Sequence, residues 1–139
     1  MQQKSLVLIL ARDLAEKLAS AMLVVDHEGT LVYFNEPAER ILGKTFSDVG
    51  PLPLDKWPRA FSSQFAGEGL TLESLPLFIA LRDREPSHRE FNITTADGSY
   101  LSIAATAFPL FARTDEFVGA ASIFWEVPSA DESGSAKEP

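Results

Sequence analysis

The chain has 139 residues, of which 45% are hydrophobic, and this length and composition fit one globular domain with a sizeable core. Its formal net charge of -8 argues against a broad electrostatic surface for nucleic acid or anionic lipid. It contains no cysteine, which excludes disulfides, thiolate nucleophiles, cysteine-ligated metals and any chromophore attached through sulfur, and which fits a reducing cytoplasm.

The first predicted element is an amphipathic helix in residues 1–20, with no signal-peptide cleavage site after it. Its apolar residues recur at three- and four-residue steps, at Leu6, Ile9, Leu10, Leu14, Leu18 and, at its end, Ala21. The apolar run that opens it is far shorter than the roughly 20 residues of a membrane span. The helix either covers the outer face of a sheet or contacts a second copy of the chain. Because its start is apolar on more than one face, we expect a homodimer contact through Leu6, Ile9, Leu10 and Leu14.

A β-hairpin and a short helix are predicted next. The runs "MLVVD" and "TLVYFN" are strand-like, and "HEG" between them carries turn residues. Gly29 permits a positive backbone angle in that turn, and Asp26 can accept hydrogen bonds from nearby amides. Asn35 is placed to cap the helix "EPAERILG", which Gly43 can end. We therefore interpret Asp26, Gly29 and Asn35 as structural residues first.

The middle of the chain predicts short helical turns at "FSDV" and "LDKWPRAF", and then a longer helix in "TLESLPLFIALRDRE". Ser74 is its expected cap, and Pro76 is tolerated in its first turn. Three strands follow at residues 88–95, 99–111 and 116–127, and Asp97-Gly98 is a strong hairpin signal between the first two. Residues 128–139 are polar and rich in small residues, which predicts a flexible tail or linker.

The order of these elements and motifs resembles the PAS domain family over residues 21–127. The first half of the family pattern is matched by Asp26, Gly29, Leu31, Val32, Asn35, Ala38, Ile41, Leu42 and Gly43. The second half is matched by Pro76, Leu77, Ala80, Leu81, Asp97, Gly98, Ala104 to Ala107, Gly119 and Ala120. The resemblance implies an α+β fold, with a five-stranded antiparallel sheet, short helices on one face and the amphipathic helix at the N-terminus.

The same resemblance implies a non-enzymatic sensory or regulatory domain, cut from a larger, bacterial and cytoplasmic signalling protein whose output domain follows the tail. It also implies a homodimer. Haem is not expected, because haem-binding relatives offer a histidine from the longer helix and residues 75–84 contain none. Covalent flavin is not expected either, because the flavin-adduct relatives require a cysteine. Neither nucleic acid nor a membrane span is expected as a partner.

No catalytic or metal-binding constellation has motif spacing in this sequence. The histidines, His27 and His88, are isolated, one in the predicted turn and one at the start of a strand, and two isolated histidines do not make a metal site. An enzyme would need a nucleophile with a base, a carboxylate pair or a metal cluster. The sequence therefore favours a binding or interaction module.

Two interpretations of the space between sheet and helices stay open. Small residues in "SIAATA" leave room for an apolar or amphiphilic ligand such as a fatty acid, bound without a covalent bond. Alternatively, the ten phenylalanines fill that space, and the chain is a structural dimerisation module without a ligand. The candidate pocket residues are Ile41, Leu42, Phe46, Trp57, Phe61, Phe65, Phe78, Leu81, Ile93, Ile103, Ala105 and Ile123.

Overall fold

The structure is a computed structural model that describes residues 3–57, 74–95, 98–113 and 115–128, with side chains described from Leu6 onward. The helices are α1 (Gln3–Lys17), α2 (Glu36–Leu42), α3 (Phe46–Val49) and α4 (Pro76–Asp83), and Leu54–Lys56 forms one turn of 3-10 helix. The strands are β1 (Ala21–Asp26), β2 (Leu31–Phe34), β3 (Ser87–Thr94), β4 (Tyr100–Phe111) and β5 (Phe117–Val127). This order is the α+β order that the sequence predicts.

The five strands form one antiparallel sheet in the order β2-β1-β5-β4-β3. The first hairpin lies at one side of the sheet and the β3–β4 hairpin at the other, and β5 returns between them. The predicted five-stranded antiparallel sheet with helices is confirmed. Since residues directly opposite in an antiparallel pair share a face, the register assigns each strand residue to one of two sides.

The two faces of the sheet carry separate apolar clusters. The larger cluster lies between the sheet and helices α2 and α4, and it contains Ile103, Ala105 and Ala107 of β4. Leu101 packs against the same cluster, because every second side chain of a strand points to the same face. The smaller cluster lies beneath α1 and includes Met22 and Ala121.

Helix α1 covers the outer face of the sheet with its small residues. Ala11 and Ala15 are buried there, while Leu8 and Leu18 pack at the margins. The helix ends at Lys17 and Ala21 belongs to β1, so the predicted helical stripe was too long by Leu18 and Ala21. Four larger side chains stay about half exposed, Leu6 at 45%, Ile9 at 49%, Leu10 at 57% and Leu14 at 48%.

The first hairpin turn forms as expected. Asp26 Oδ1 accepts hydrogen bonds from the amides of Glu28 at 2.9 Å and Thr30 at 3.0 Å, and Gly29 has a φ of 87°. Gly43 ends α2 with a φ of 74°, and Asn35 caps the start of that helix. Each of these residues satisfies backbone groups that the neighbouring elements leave unpaired.

Helix α4 begins without the cap that the sequence suggested. Its N-cap residue is Leu75, which makes no side-chain capping bond, so the assignment of Ser74 as cap was wrong. Burial compensates, because Pro76, Leu77, Phe78 and Ala80 all pack into the core. Among the described helices, none has both the length and the hydropathy needed to cross a bilayer.

Candidate functional site

A cavity of about 60 Å³ lies between the sheet and α4. Six of the side chains expected to border a pocket do line it: Leu42, Trp57, Phe78, Ile93, Ile103 and Ala105. The other described lining residues are Leu23, Leu75, Pro76, Leu77, Phe91, Ser122 and Phe124. Sheet and helices therefore both contribute to one apolar space.

The remaining candidate residues lie elsewhere. Ile41, Phe46 and Leu81 pack against the same core cluster without lining the cavity. Ile123 lies on the opposite face, in the cluster beneath α1, so its assignment to the pocket was wrong. The predicted positions Phe61 and Phe65 fall outside the described residues.

Trp57 closes one side of the cavity and links it to the first hairpin. Its indole Nε1 donates a hydrogen bond to the carbonyl oxygen of Gly29 at 3.2 Å. Its ring packs edge-to-face on Phe78, with centroids 5.1 Å apart and planes at 84°. A ring held by a buried hydrogen bond and by an aromatic partner is a defined wall, because both contacts constrain its orientation.

The sheet side of the cavity is formed by a small residue facing a large one. Ala105 in β4 lies opposite Phe124 in β5, and Ile103, two residues earlier in β4, lies on the same face. A methyl group at position 105 leaves space that a larger side chain would occupy. The run of small residues in β4 is the sequence signal for this opening, and the structure places it beside the wall formed by Trp57 and Phe78.

Ser122 supplies the polar side chain of the described lining. It is buried in β5, opposite Leu23 in β1 and Ala107 in β4, which places it on the cavity side of the sheet. Sequence reasoning missed it, although a serine inside the apolar run "GAASIF" was a usable signal. A serine hydroxyl can donate and accept a hydrogen bond, but almost all of the surface that the cavity wall exposes is apolar.

No titratable side chain lines the cavity among the described residues. The resolved pKa shifts lie outside it: burial, and then the Glu16 carboxylate, raise the pKa of Tyr33, while a hydrogen bond from Arg82 lowers the pKa of Asp83. Within the described ranges no three histidine or acidic side chains cluster as metal ligands. Such a cavity suits apolar binding, with at most one hydrogen bond from Ser122.

The comparisons with known proteins place this fold in one family. A family model described as PAS domain matches residues 19–127, and the chain belongs to the PAS domain family. PAS domains are in general sensory modules of signalling proteins. No curated protein matches the chain.

Solved PAS structures share the fold at low identity. The PAS domain of a Colwellia psychrerythraea protein is 17% identical with a TM-score of 0.62, over 87% of this chain and 97% of that chain. The PAS domain of Bordetella pertussis BvgS is 16% identical with a TM-score of 0.63, over 93% and 92%. A Rhodobacter sphaeroides LOV protein is 16% identical with a TM-score of 0.68, over 97% and 75%. At sequence identities this low, the similarity shows only that these proteins share the fold.

Proposed function

We propose that this PAS domain is a non-enzymatic sensor or regulator within a larger cytoplasmic signalling protein, and that it acts through a small apolar ligand, through homodimer contacts, or through both. The observation that carries the proposal is the apolar cavity between the sheet and α4. Its described wall offers one hydroxyl and neither a base nor a carboxylate pair, which fits binding better than catalysis. A sequence without cysteine supports the cytoplasmic location.

The volume of the cavity restricts the ligand. Its volume of about 60 Å³ is less than half of the roughly 150 Å³ of a dry apolar cavity that binds benzene or xenon. The space as it stands suits a compact molecule of few atoms. A fatty acid would fit only if side chains of the wall moved. The large side chains of the described wall are Trp57, Phe78, Phe91 and Phe124.

The exposed stripe of α1, formed by Leu6, Ile9, Leu10 and Leu14, supports the proposed homodimer. Full burial of such a side chain contributes about 1.5 to 3 kcal/mol, and these are already half buried. Eight of them across two copies would contribute about 6 to 12 kcal/mol, against association costs of about 4 to 15 kcal/mol. We therefore expect a dimer whose population depends on protein concentration.

The second candidate is a structural dimerisation module with no ligand. The small volume of the cavity favours it, because leaving about 60 Å³ empty costs at most about 1.4 kcal/mol. In that case the stripe on α1 would carry the function alone, and the output domain of the same parent protein would respond to association rather than to a small molecule.

Native mass spectrometry of freshly purified protein, followed by denaturing extraction, tests both candidates. The sensor predicts a dimer mass and a retained small molecule that extraction releases. A dimer with no retained molecule, and with no uptake of added xenon, would favour the structural module. A monomer at every protein concentration would contradict the dimer contact in the sensor and in the structural module alike.

A further inference from the structure

The side chain of Asn35 joins three elements of the fold. Its Oδ1 accepts hydrogen bonds from the backbone amides of Met22 at 3.0 Å and Ala38 at 3.2 Å. Its Nδ2 donates to the carbonyl oxygens of Ala15 at 2.8 Å and Ser20 at 2.9 Å. An amide side chain has two donor hydrogens and an acceptor oxygen with two lone pairs, so all its capacity is used.

Only one of these four hydrogen bonds is needed to cap a helix. The bond from the Ala38 amide caps α2, which is the usual role of an asparagine at this position. The two bonds from Nδ2 instead reach backward by 20 and 15 residues, to the last turn of α1 and to the residue before β1. Asn35 is 1% exposed, so no water competes for these groups.

Both elements that Asn35 holds through Oδ1 also contribute to the cavity wall. Leu23 follows Met22 in β1 and lines the cavity, and Leu42 at the end of α2 lines it from the other side. Helix α1, held through Nδ2, carries the exposed stripe. The side-chain amide of asparagine is planar and rigid, so a displacement of its oxygen also moves its nitrogen.

We propose that Asn35 is a positioning residue that couples occupancy of the cavity to the position of α1, an inference that rests on the proposed ligand function. A molecule that fills the cavity presses on Leu23 and Leu42, and this contact shifts the amides of Met22 or Ala38. Because both amides bind one oxygen, the shift reorients the Asn35 amide and the carbonyls that it holds. The last turn of α1 then moves against the sheet, and the stripe moves with it.

Hydrogen exchange of the α1 amides, measured with and without xenon, tests this coupling in the full chain. Asn35→Ser keeps a side-chain acceptor for the cap, since serine caps helices about as well as asparagine, but it is too short to hold the two carbonyls. Thr45→Ala is the matched control, because Thr45 caps α3 through the Asp48 amide at 3.1 Å and has no such bond to α1. Xenon binding itself is followed by the xenon NMR shift.

Xenon should change exchange in α1 at least twofold in the wild type and in Thr45→Ala. In Asn35→Ser, exchange in α1 should be several-fold faster than in the wild type, and xenon should still bind but no longer change it. If Asn35→Ser does not fold, the wild type still tests the coupling, because xenon that binds it should change exchange in α1.

Two results would overturn the coupling while the ligand function stands. In the first, xenon binds the wild type without changing hydrogen exchange in α1. In the second, xenon changes exchange in α1 of an Asn35 variant as much as it does in the wild type. A wild type that takes up no xenon would overturn the ligand function and the coupling together. These outcomes distinguish a failure of the coupling through Asn35 from a failure of ligand binding in the cavity.

Discussion

Filling the cavity from Ala105 should stabilise the domain and exclude a ligand at the same time. Ala105 is buried on the cavity side of β4, opposite Phe124. Filling a space of about 60 Å³ would raise the free energy of unfolding by at most about 1.4 kcal/mol, at about 24 cal/mol per Å³, because that slope holds for enclosed cavities and this space is partly open. Ala105→Val adds two methyl groups to that void and suits a strand, so we expect a gain of up to about 1 kcal/mol.

A larger substitution at the same position should have the opposite effect on stability. Ala105→Phe overfills the void, and overpacking costs about 1 to 3 kcal/mol, which a domain of ordinary stability survives. Both variants should lower retention of xenon, or of a co-purified apolar molecule, at least several-fold. Urea unfolding measures the stability change, provided that the slope with urea concentration stays constant.

The control for this series is Ala104→Val, one residue earlier in the same strand. Ala104 is also buried, but it lies opposite Trp125 on the other face of the sheet. Its substitution should leave ligand retention unchanged. If Ala105→Phe unfolds the domain, the face is already close-packed and the structural module is the better account. Unchanged retention in a folded Ala105→Phe variant would refute the assignment of the cavity as the binding site.

Three further outcomes are expected. Replacing both Leu6 and Leu10 with Glu should give a monomer by light scattering, because the charges prevent burial of the stripe. Gly119→Ala should lower the free energy of unfolding by more than about 3 kcal/mol, since Gly119 has a φ of 157° and an added Cβ would collide with the Val25 carbonyl oxygen. Tyr33 should ionise above the ordinary tyrosine pKa of 10.0, because burial and then Glu16 raise its pKa. Its contribution to the free energy of unfolding should be constant below about pH 10 and fall above it, where Tyr33 of the unfolded chain ionises first.

Each of these has a matched control. Leu54→Glu changes an exposed leucine outside α1 and should leave the subunit count unchanged, whereas a dimer that persists in the double variant would refute the stripe. Gly98→Ala meets no atom within 4 Å at a φ of 88°, so only the backbone cost of about 1 to 2 kcal/mol applies. For Tyr33, ultraviolet titration of Tyr100→Phe isolates its signal, and Glu16→Gln should lower its pKa; no change would refute the electrostatic contribution.

Local features of the fold were readable from the sequence because their causes are local. The turn after β1 depends on Asp26 and Gly29, which lie three residues apart, and the start of α2 depends on Asn35 and the amide of Ala38. The alternation of β4 likewise groups Ala105 with Ile103 and Ala107 on one face, and the structure shows that the helices cover that face. In each case the residue and the backbone group that it serves are neighbours in the chain, so their chemistry determines the conformation.

Long-range contacts decided the rest. The strand β5 is apolar on both faces, because α1 covers one face of the sheet and α2 and α4 cover the opposite face. The alternation of apolar and polar residues therefore could not show that Ile123 lies beneath α1. Helix α1 offered two apolar faces, and packing selected Ala11 and Ala15, whose small side chains allow the helix to approach the sheet closely. The larger leucines were thereby left exposed. Trp57 directly follows the 3-10 turn Leu54–Lys56 with helical backbone angles. Its position in the cavity wall depends on the Gly29 carbonyl, 28 residues earlier in the chain, a partner that no local pattern identifies.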